Sequence, residues 1–238
     1  MTQKKVIQTD HLSKSYGKTL ALHDLTLEVE EGEFFGFLGP NGAGKTTTIK
    51  VLTAQVTPDG GTAHVMGIPI DNSLKVKEAV GIVPEVVLLP SFLTVEEYLE
   101  LVCRIRKIDP EKIEFWLDFT QLSEDKNTLC RNLSQGMKQK LSFAAAFIHE
   151  PRLVFLDEPF ADVDPVMQNT FKKFLKEYVS KGGTVFLSTH ILEIAEKLCS
   201  RIAIITKGTI AKMGTISELL QEGKDLEDVF LTLVSKYG

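Results

Sequence analysis

Apolar positions along the chain follow two kinds of pattern. Toward both ends they come in short runs. Leu25, Leu27 and Val29 alternate with Thr26, Glu28 and Glu30, which predicts a half-buried strand over residues 21–28. After the turn at Glu31-Gly32-Glu33, residues 34–38 (Phe-Phe-Gly-Phe-Leu) run apolar into a glycine-rich loop. Pro58-Asp59-Gly60-Gly61 marks a turn before a further strand at 62–66. Residues 153–156, 184–188 and 201–206 are continuous, with β-branched and aromatic side chains, as strands buried on both faces of a parallel sheet are.

The middle of the chain keeps helical spacing. Thr94 and Glu97 form a capping box ahead of Val95, Tyr98, Leu99, Val102 and Ile105. Asp109 and Pro110 place a cap and an N1 proline before Ile113, Trp116 and Leu117. Ser134 precedes a long helical stretch ending near His149-Glu150-Pro151. The order strands, helices, strands predicts an α/β core, at about 1–87 and 151–216, with a helical subdomain inserted at about 88–150. One or two short helices are expected at 217–238, and the whole reads as a single domain over 1–238. Trp116 and Phe119 fit either a subdomain core or a packing surface for a partner.

Composition narrows the class. Hydrophobic residues make up 43% and charged residues 25% of 238, as in ordinary globular domains. The net charge of −5 argues against binding nucleic acid through phosphate neutralisation. The longest apolar run, 143–148, is far short of the roughly 20 residues of a spanning helix, and the start at Met1 lacks the apolar stretch of a signal peptide. Cys103, Cys130 and Cys199 are scattered, which suits free thiols in a reducing compartment. The expectation is a soluble, cytoplasmic chain.

The candidate chemistry starts at the glycine-rich loop. Gly39-Pro40-Asn41-Gly42-Ala43-Gly44-Lys45-Thr46 fits G-x-x-x-x-G-K-[ST] between a strand and a helix. Glycines let backbone N–H groups converge on an anion, and the helix start adds its positive dipole end. Lys45 supplies a cation for β- and γ-phosphates, the Thr46 hydroxyl suits Mg2+, and Thr47 can donate to an α-phosphate. The strand at 153–156 ends in Asp157 and Glu158. There Asp157 would hold the metal shell and Glu158 would polarise an attacking water. His190 ends the next strand at the same edge, within reach of a γ-phosphate.

Taken together, these residues resemble the ATP-binding subunits of ABC transporters, closest to the ABC-2 type export group, over essentially the whole chain. Gly39 to Thr46 is similar to the Walker A loop, and Leu153 to Asp157 to Walker B, with Glu158 as the catalytic glutamate. Leu133-Ser134-Gln135-Gly136-Met137 resembles the LSGGQ signature, residues 160–165 the D-loop, and His190 the switch histidine. The resemblance implies a P-loop NTPase fold with a mostly parallel sheet, an N-terminal antiparallel β subdomain and an inserted helical subdomain. It implies Mg2+-dependent ATP hydrolysis, with Tyr16 stacked on adenine and Glu85 in the lid loop as a further metal ligand.

It also implies a head-to-tail dimer, in which each ATP lies between one Walker A loop and Ser134, Gln135 and Gly136 of the other copy. A separate integral membrane permease, engaged from the cytoplasmic face, and no nucleic acid are the expected partners. Gln135, Met137, Glu85, Ala161 and Asp162 depart from the usual family residues, which puts the hydrolysis rate, not ATP binding, at issue.

Overall fold

A computed structural model describes residues 4–220 and 225–237. In chain order its strands and helices are β1 (Lys5–Tyr16), β2 (Thr19–Glu30), β3 (Phe34–Leu38), α1 (Lys45–Leu52), β4 (Gly60–Val65), β5 (Ile68–Pro69), α2 (Ser73–Ala79) and β6 (Val80–Val83). The middle holds α3 (Val95–Arg106), α4 (Ile113–Phe119) and α5 (Gln135–Phe147). Then come β7 (Leu153–Asp157), α6 (Pro165–Ser180), β8 (Thr184–Thr189), α7 (Leu192–Leu198), β9 (Arg201–Thr206), β10 (Thr209–Thr215), α8 (Ile216–Leu220) and α9 (Leu226–Tyr237). Residues 221–224 and 238 of the expected helical tail, and residues 1–3 of the chain start, lie outside the described residues.

Two sheets carry the strands. One is antiparallel, in the order β2-β1-β4-β5. The other runs β10-β9-β3-β8-β7-β6 and is parallel except for β10 at its edge. The parallel strands read as unbroken apolar runs because both their faces are covered. Phe35, Phe37, Phe155, Phe186 and Ile205 turn to one side and join the antiparallel sheet and α1 in one core. Phe34, Leu38, Val154, Leu156, Val185, Leu187 and Ile204 turn to the other and meet the helices. Alternation along a strand thus serves two cores instead of one core and solvent.

The predicted helices form, with adjustments at their ends. Thr94 and Glu97 complete the capping box of α3. Asp109 caps a 3-10 turn at Pro110–Lys112, which leads into α4. Trp116 is buried against Phe143, Phe147 and Phe174, and Phe119 packs on Phe143, Phe171 and Phe174, so both belong to the core that joins the helical insert to α6. Strand β1 has no clear alternation. Register shifts at Thr9/Leu12 and Leu12/Lys14, with His11 at φ 52°, break its period. No helix among the described residues is long and apolar enough to cross a membrane.

Candidate functional site

Four neighbouring strands of the parallel sheet end at one edge, and each delivers a candidate side chain there. Strand β3 runs into the loop 39–44 and then α1, β6 leads to Glu85, β7 ends at Asp157 and Glu158, and β8 ends at Thr189 and His190. The carboxyl edge of a parallel sheet is where α/β folds bind ligands. A cleft of about 570 Å³ opens at it, lined among others by Asn41, Gly42, Gly44, Lys45, Thr46, Thr47, Glu85, Asp157, Glu158 and His190.

Helix α1 begins without a side-chain cap, since its N-cap is Gly44 at φ 110°. A Cβ there would lie 2.6 Å from the Ala21 carbonyl oxygen, so only glycine fits. The N–H groups of a first helical turn have no intrahelical acceptor, and here they face the cleft with the positive end of the helix dipole. Lys45 is 7% exposed. Its ammonium donates to the Gly39 carbonyl at 2.7 Å and the Pro40 carbonyl at 3.2 Å. Burial lowers the Lys45 pKa, while Glu158, Asp157 and Glu85 pull the other way. A cation ringed by three carboxylates and a row of N–H groups fits a polyanion that arrives with its own counter-cation.

The acids that end and follow β7, Asp157 and Glu158, have opposite surroundings. Asp157 is 2% exposed, and among the described residues its Oδ1 finds no hydrogen-bond partner. Burial pushes its carboxyl above the usual range, the Ser188 and Thr46 hydroxyls beside it pull the other way, and the charges on Glu85 and Glu158 add to the rise. Glu158 has both oxygens engaged. Oε1 accepts from the His190 backbone N–H at 2.9 Å and lies 2.7 Å from His190 Nδ1. Oε2 accepts from the Thr189 hydroxyl at 3.0 Å. Glu158 itself sits at φ 48°, in the left-handed region, which turns its side chain toward the end of β8. Across the cleft, the Thr46 hydroxyl donates to Glu85 at 3.2 Å.

The residues expected from the sequence divide three ways. Asn41, Gly42, Gly44, Lys45, Thr46, Thr47, Glu85, Asp157, Glu158 and His190 share the cleft, whereas Gly39 and Pro40 hold the Lys45 ammonium through their carbonyls and Ala43 is buried in the core. Tyr16 stands half-exposed at the end of β1, paired with Thr19 of the cleft lip and covered on one face by Lys14 at 5.7 Å. Gln135 lines the far side of the cleft at the start of α5. Its neighbour Ser134 caps that helix by accepting from the Met137 N–H at 3.2 Å. Gly136 abuts the Asp162 carbonyl, which a Cβ would approach to 2.5 Å. Asp164, in the D-loop stretch, caps α6 through the Met167 N–H. Thr189 went unread in the sequence, although a polar residue closing an apolar strand just before His190 is a usable signal.

Comparison with known proteins gives the family and the fold. The ABC transporter family profile matches residues 22–161. The chain is 35% identical over 232 residues to Nod factor export ATP-binding protein I of Cupriavidus pinatubonensis, covering 94% of this chain and 71% of that protein. The protein of the same name in Paraburkholderia xenovorans is 35% identical over 231 residues, covering 94% and 76%. A solved ATP-binding subunit of an ABC transporter superposes with a TM-score of 0.90 at 30% identity, over 96% of this chain and 99% of that one. A dimeric cassette bound to ADP and Pi shares the fold, with a TM-score of 0.82 at 23% identity over 88% and 98%. The sheet edge that gathers a phosphate loop, an acidic strand end and a histidine thus belongs to an ATP-binding, ATP-hydrolysing subunit of the ABC transporter family.

Proposed function

We propose that the chain hydrolyses ATP at this cleft and drives export through a separate membrane permease, working as a pair of copies at the cytoplasmic face of the membrane. The carrying observation is the convergence of Lys45, Thr46, Glu85, Asp157, Glu158 and His190 at one sheet edge. The export direction follows the naming of the relatives, whose own cargo is Nod factor. The cargo of this chain is a matter for its permease.

The residues fit Mg2+. The unpartnered, buried Oδ1 of Asp157 is an acceptor that gains from a cation, and the Thr46 hydroxyl and the Glu85 carboxylate are hard oxygen donors beside it. No group of three or more His, Cys, Asp or Glu poised for a metal occurs among the described residues, so Asp157, Thr46 and Glu85 would hold the ion together with oxygens of the nucleotide or of water. When bound, the ion would supply positive charge that offsets the negative charge of the phosphates. Lys45 leaves the Gly39 and Pro40 carbonyls for the phosphates, and the N–H groups of α1 hold the same oxygens in place. Glu158 orients the attacking water, with His190 steadying it. Tyr16 carries the adenine ring on its free face. Ser134, Gln135 and Gly136 of the second copy close over the γ-phosphate, as head-to-tail pairing requires.

The test is Glu158→Gln. We expect turnover to fall by about 100-fold or more, with ATP-dependent dimers accumulating in size-exclusion chromatography. Wild-type ATPase activity in that variant would remove Glu158 from its role.

A further inference from the structure

We propose that Thr189 is a positioning residue for hydrolysis: its hydroxyl fixes the plane of the Glu158 carboxylate, and the reaction slows when that hydroxyl is lost. The inference rests on the role proposed for Glu158 and adds a residue that neither the phosphate loop nor the acidic strand motif contains.

Thr189 closes β8 and is 1% exposed. A threonine hydroxyl has a single proton, and the surroundings decide where it goes. The Thr189 Oγ1 accepts the Ile191 N–H at 3.1 Å, which uses one lone pair and leaves the O–H to donate. The acceptor within reach is Glu158 Oε2 at 3.0 Å. On the other oxygen, Oε1 takes the His190 N–H at 2.9 Å and faces His190 Nδ1 at 2.7 Å. The carboxylate is thus gripped from both sides.

A carboxylate held by one oxygen alone still rotates about its last bond. Terminal sp³–sp² torsions are broad, so a single anchor would let the second oxygen swing. The Thr189 hydroxyl removes that freedom. Two anchored oxygens still offer free lone pairs toward the cleft, since an ionised carboxylate has about four acceptor positions. The same hydroxyl ties the base to the backbone of Ile191, the N-cap of α7, so movement of the segment after β8 reaches Glu158 through Thr189 as well as through His190.

Thr189→Val keeps the branched shape and deletes only the hydroxyl, and Thr189→Ser restores the hydroxyl in a smaller side chain. We expect Thr189→Val to lower kcat about tenfold with the KM for ATP within about twofold, because a charge-assisted hydrogen bond is lost and no nucleotide contact is. Thr189→Ser should recover most of the rate. In single-turnover phosphate release, adding Thr189→Val to Glu158→Gln should cost little beyond Glu158→Gln alone, since the hydroxyl would act only through that carboxylate. If the valine variant does not fold, by circular dichroism, Thr189→Ala takes its place in the same comparison. Unchanged kcat, a serine variant as slow as the valine one, or full additivity with Glu158→Gln would each overturn the proposal. If Glu158→Gln abolishes turnover while the Thr189 variants keep theirs, only the role of Thr189 falls. If Glu158→Gln keeps turnover, the reading of Glu158 falls and Thr189 with it.

Discussion

Two helix starts face the cleft, and they are built in opposite ways. Helix α1 opens on Gly44, which has no side chain to cap it, and leaves its first turn to whatever anion arrives. Helix α5 opens on Ser134, whose hydroxyl takes the Met137 N–H, so one of its orphan donors is satisfied within the chain. The first start is incomplete without a ligand, whereas the second is stable alone and can wait for a second copy. That difference suits the proposed pairing, in which each chain binds nucleotide by itself and closes with a second copy.

The largest effect should come from breaking the open start. Gly44→Ala puts a methyl 2.6 Å from the Ala21 carbonyl, at a φ of 110° that L-residues avoid. The loop must shift against β2. We expect ATP affinity, measured with a fluorescent nucleotide, to drop about 100-fold, and folding stability to fall by about 2–3 kcal/mol in urea. Retained affinity would mean that the N–H groups of α1 are not what holds the phosphates.

The capped start should break in a more selective way. Ser134→Ala removes the cap and should cost about 1 kcal/mol of stability, with nucleotide binding to the single chain unchanged and steady-state hydrolysis lowered. Ser134→Asp separates the two roles. An aspartate caps a helix as well as serine does, so stability should hold. Its charge opposes a phosphate brought by the second copy, so ATP-dependent dimers should weaken further than with alanine. Dimers as strong as wild type with Ser134→Asp would place the start of α5 away from the composite site.

Both starts are legible from sequence, but unequally. The loop from Gly39 to Thr46 carries its geometry in its residue types, because glycine suits the φ of Gly44 and the long side chain of Lys45 reaches back over the loop. The apolar strands are legible because β7 and β8 are buried on both faces. Strand β1 is not, since bulges erase its period. The left-handed backbone of Glu158 and its three donors are not legible either, for they depend on the register that sets Asp157 beside Ser188. Asp164-Pro165 carries the same cap-and-proline signal as Asp109-Pro110, and Asp164 does cap α6. That Gly136 makes room for the Asp162 carbonyl is not legible, because it follows from how the segment after β7 folds back on α5.

The smallest effect tests the far end of α5, where the helical insert is pinned to the sheet. His149, just past that helix, approaches the Val80 carbonyl with Nε2 at 3.3 Å, while its buried Nδ1 has no partner among the described residues. Arg106, in the last turn of α3, donates to the same carbonyl at 3.1 Å and to Glu78 O at 3.0 Å. Burial, with the charge of Arg106 added, brings the His149 pKa down to about 4 from 6.5. The folded chain therefore keeps the ring neutral where the unfolded chain already takes up a proton. The stability this gives is complete above pH 6.5 and is lost as the pH falls from 6.5 to about 4. For a ring only part-buried, solvent screening leaves about 1–2 kcal/mol of the loss. His149→Gln keeps a donor for Val80 and removes the titration. Urea midpoints at pH 7.5 and pH 5 should therefore differ less in the variant than in the wild type. Equal acid sensitivity in both would mean that the pin between α5 and β6 is indifferent to the proton, and that Arg106 alone holds this end of the insert.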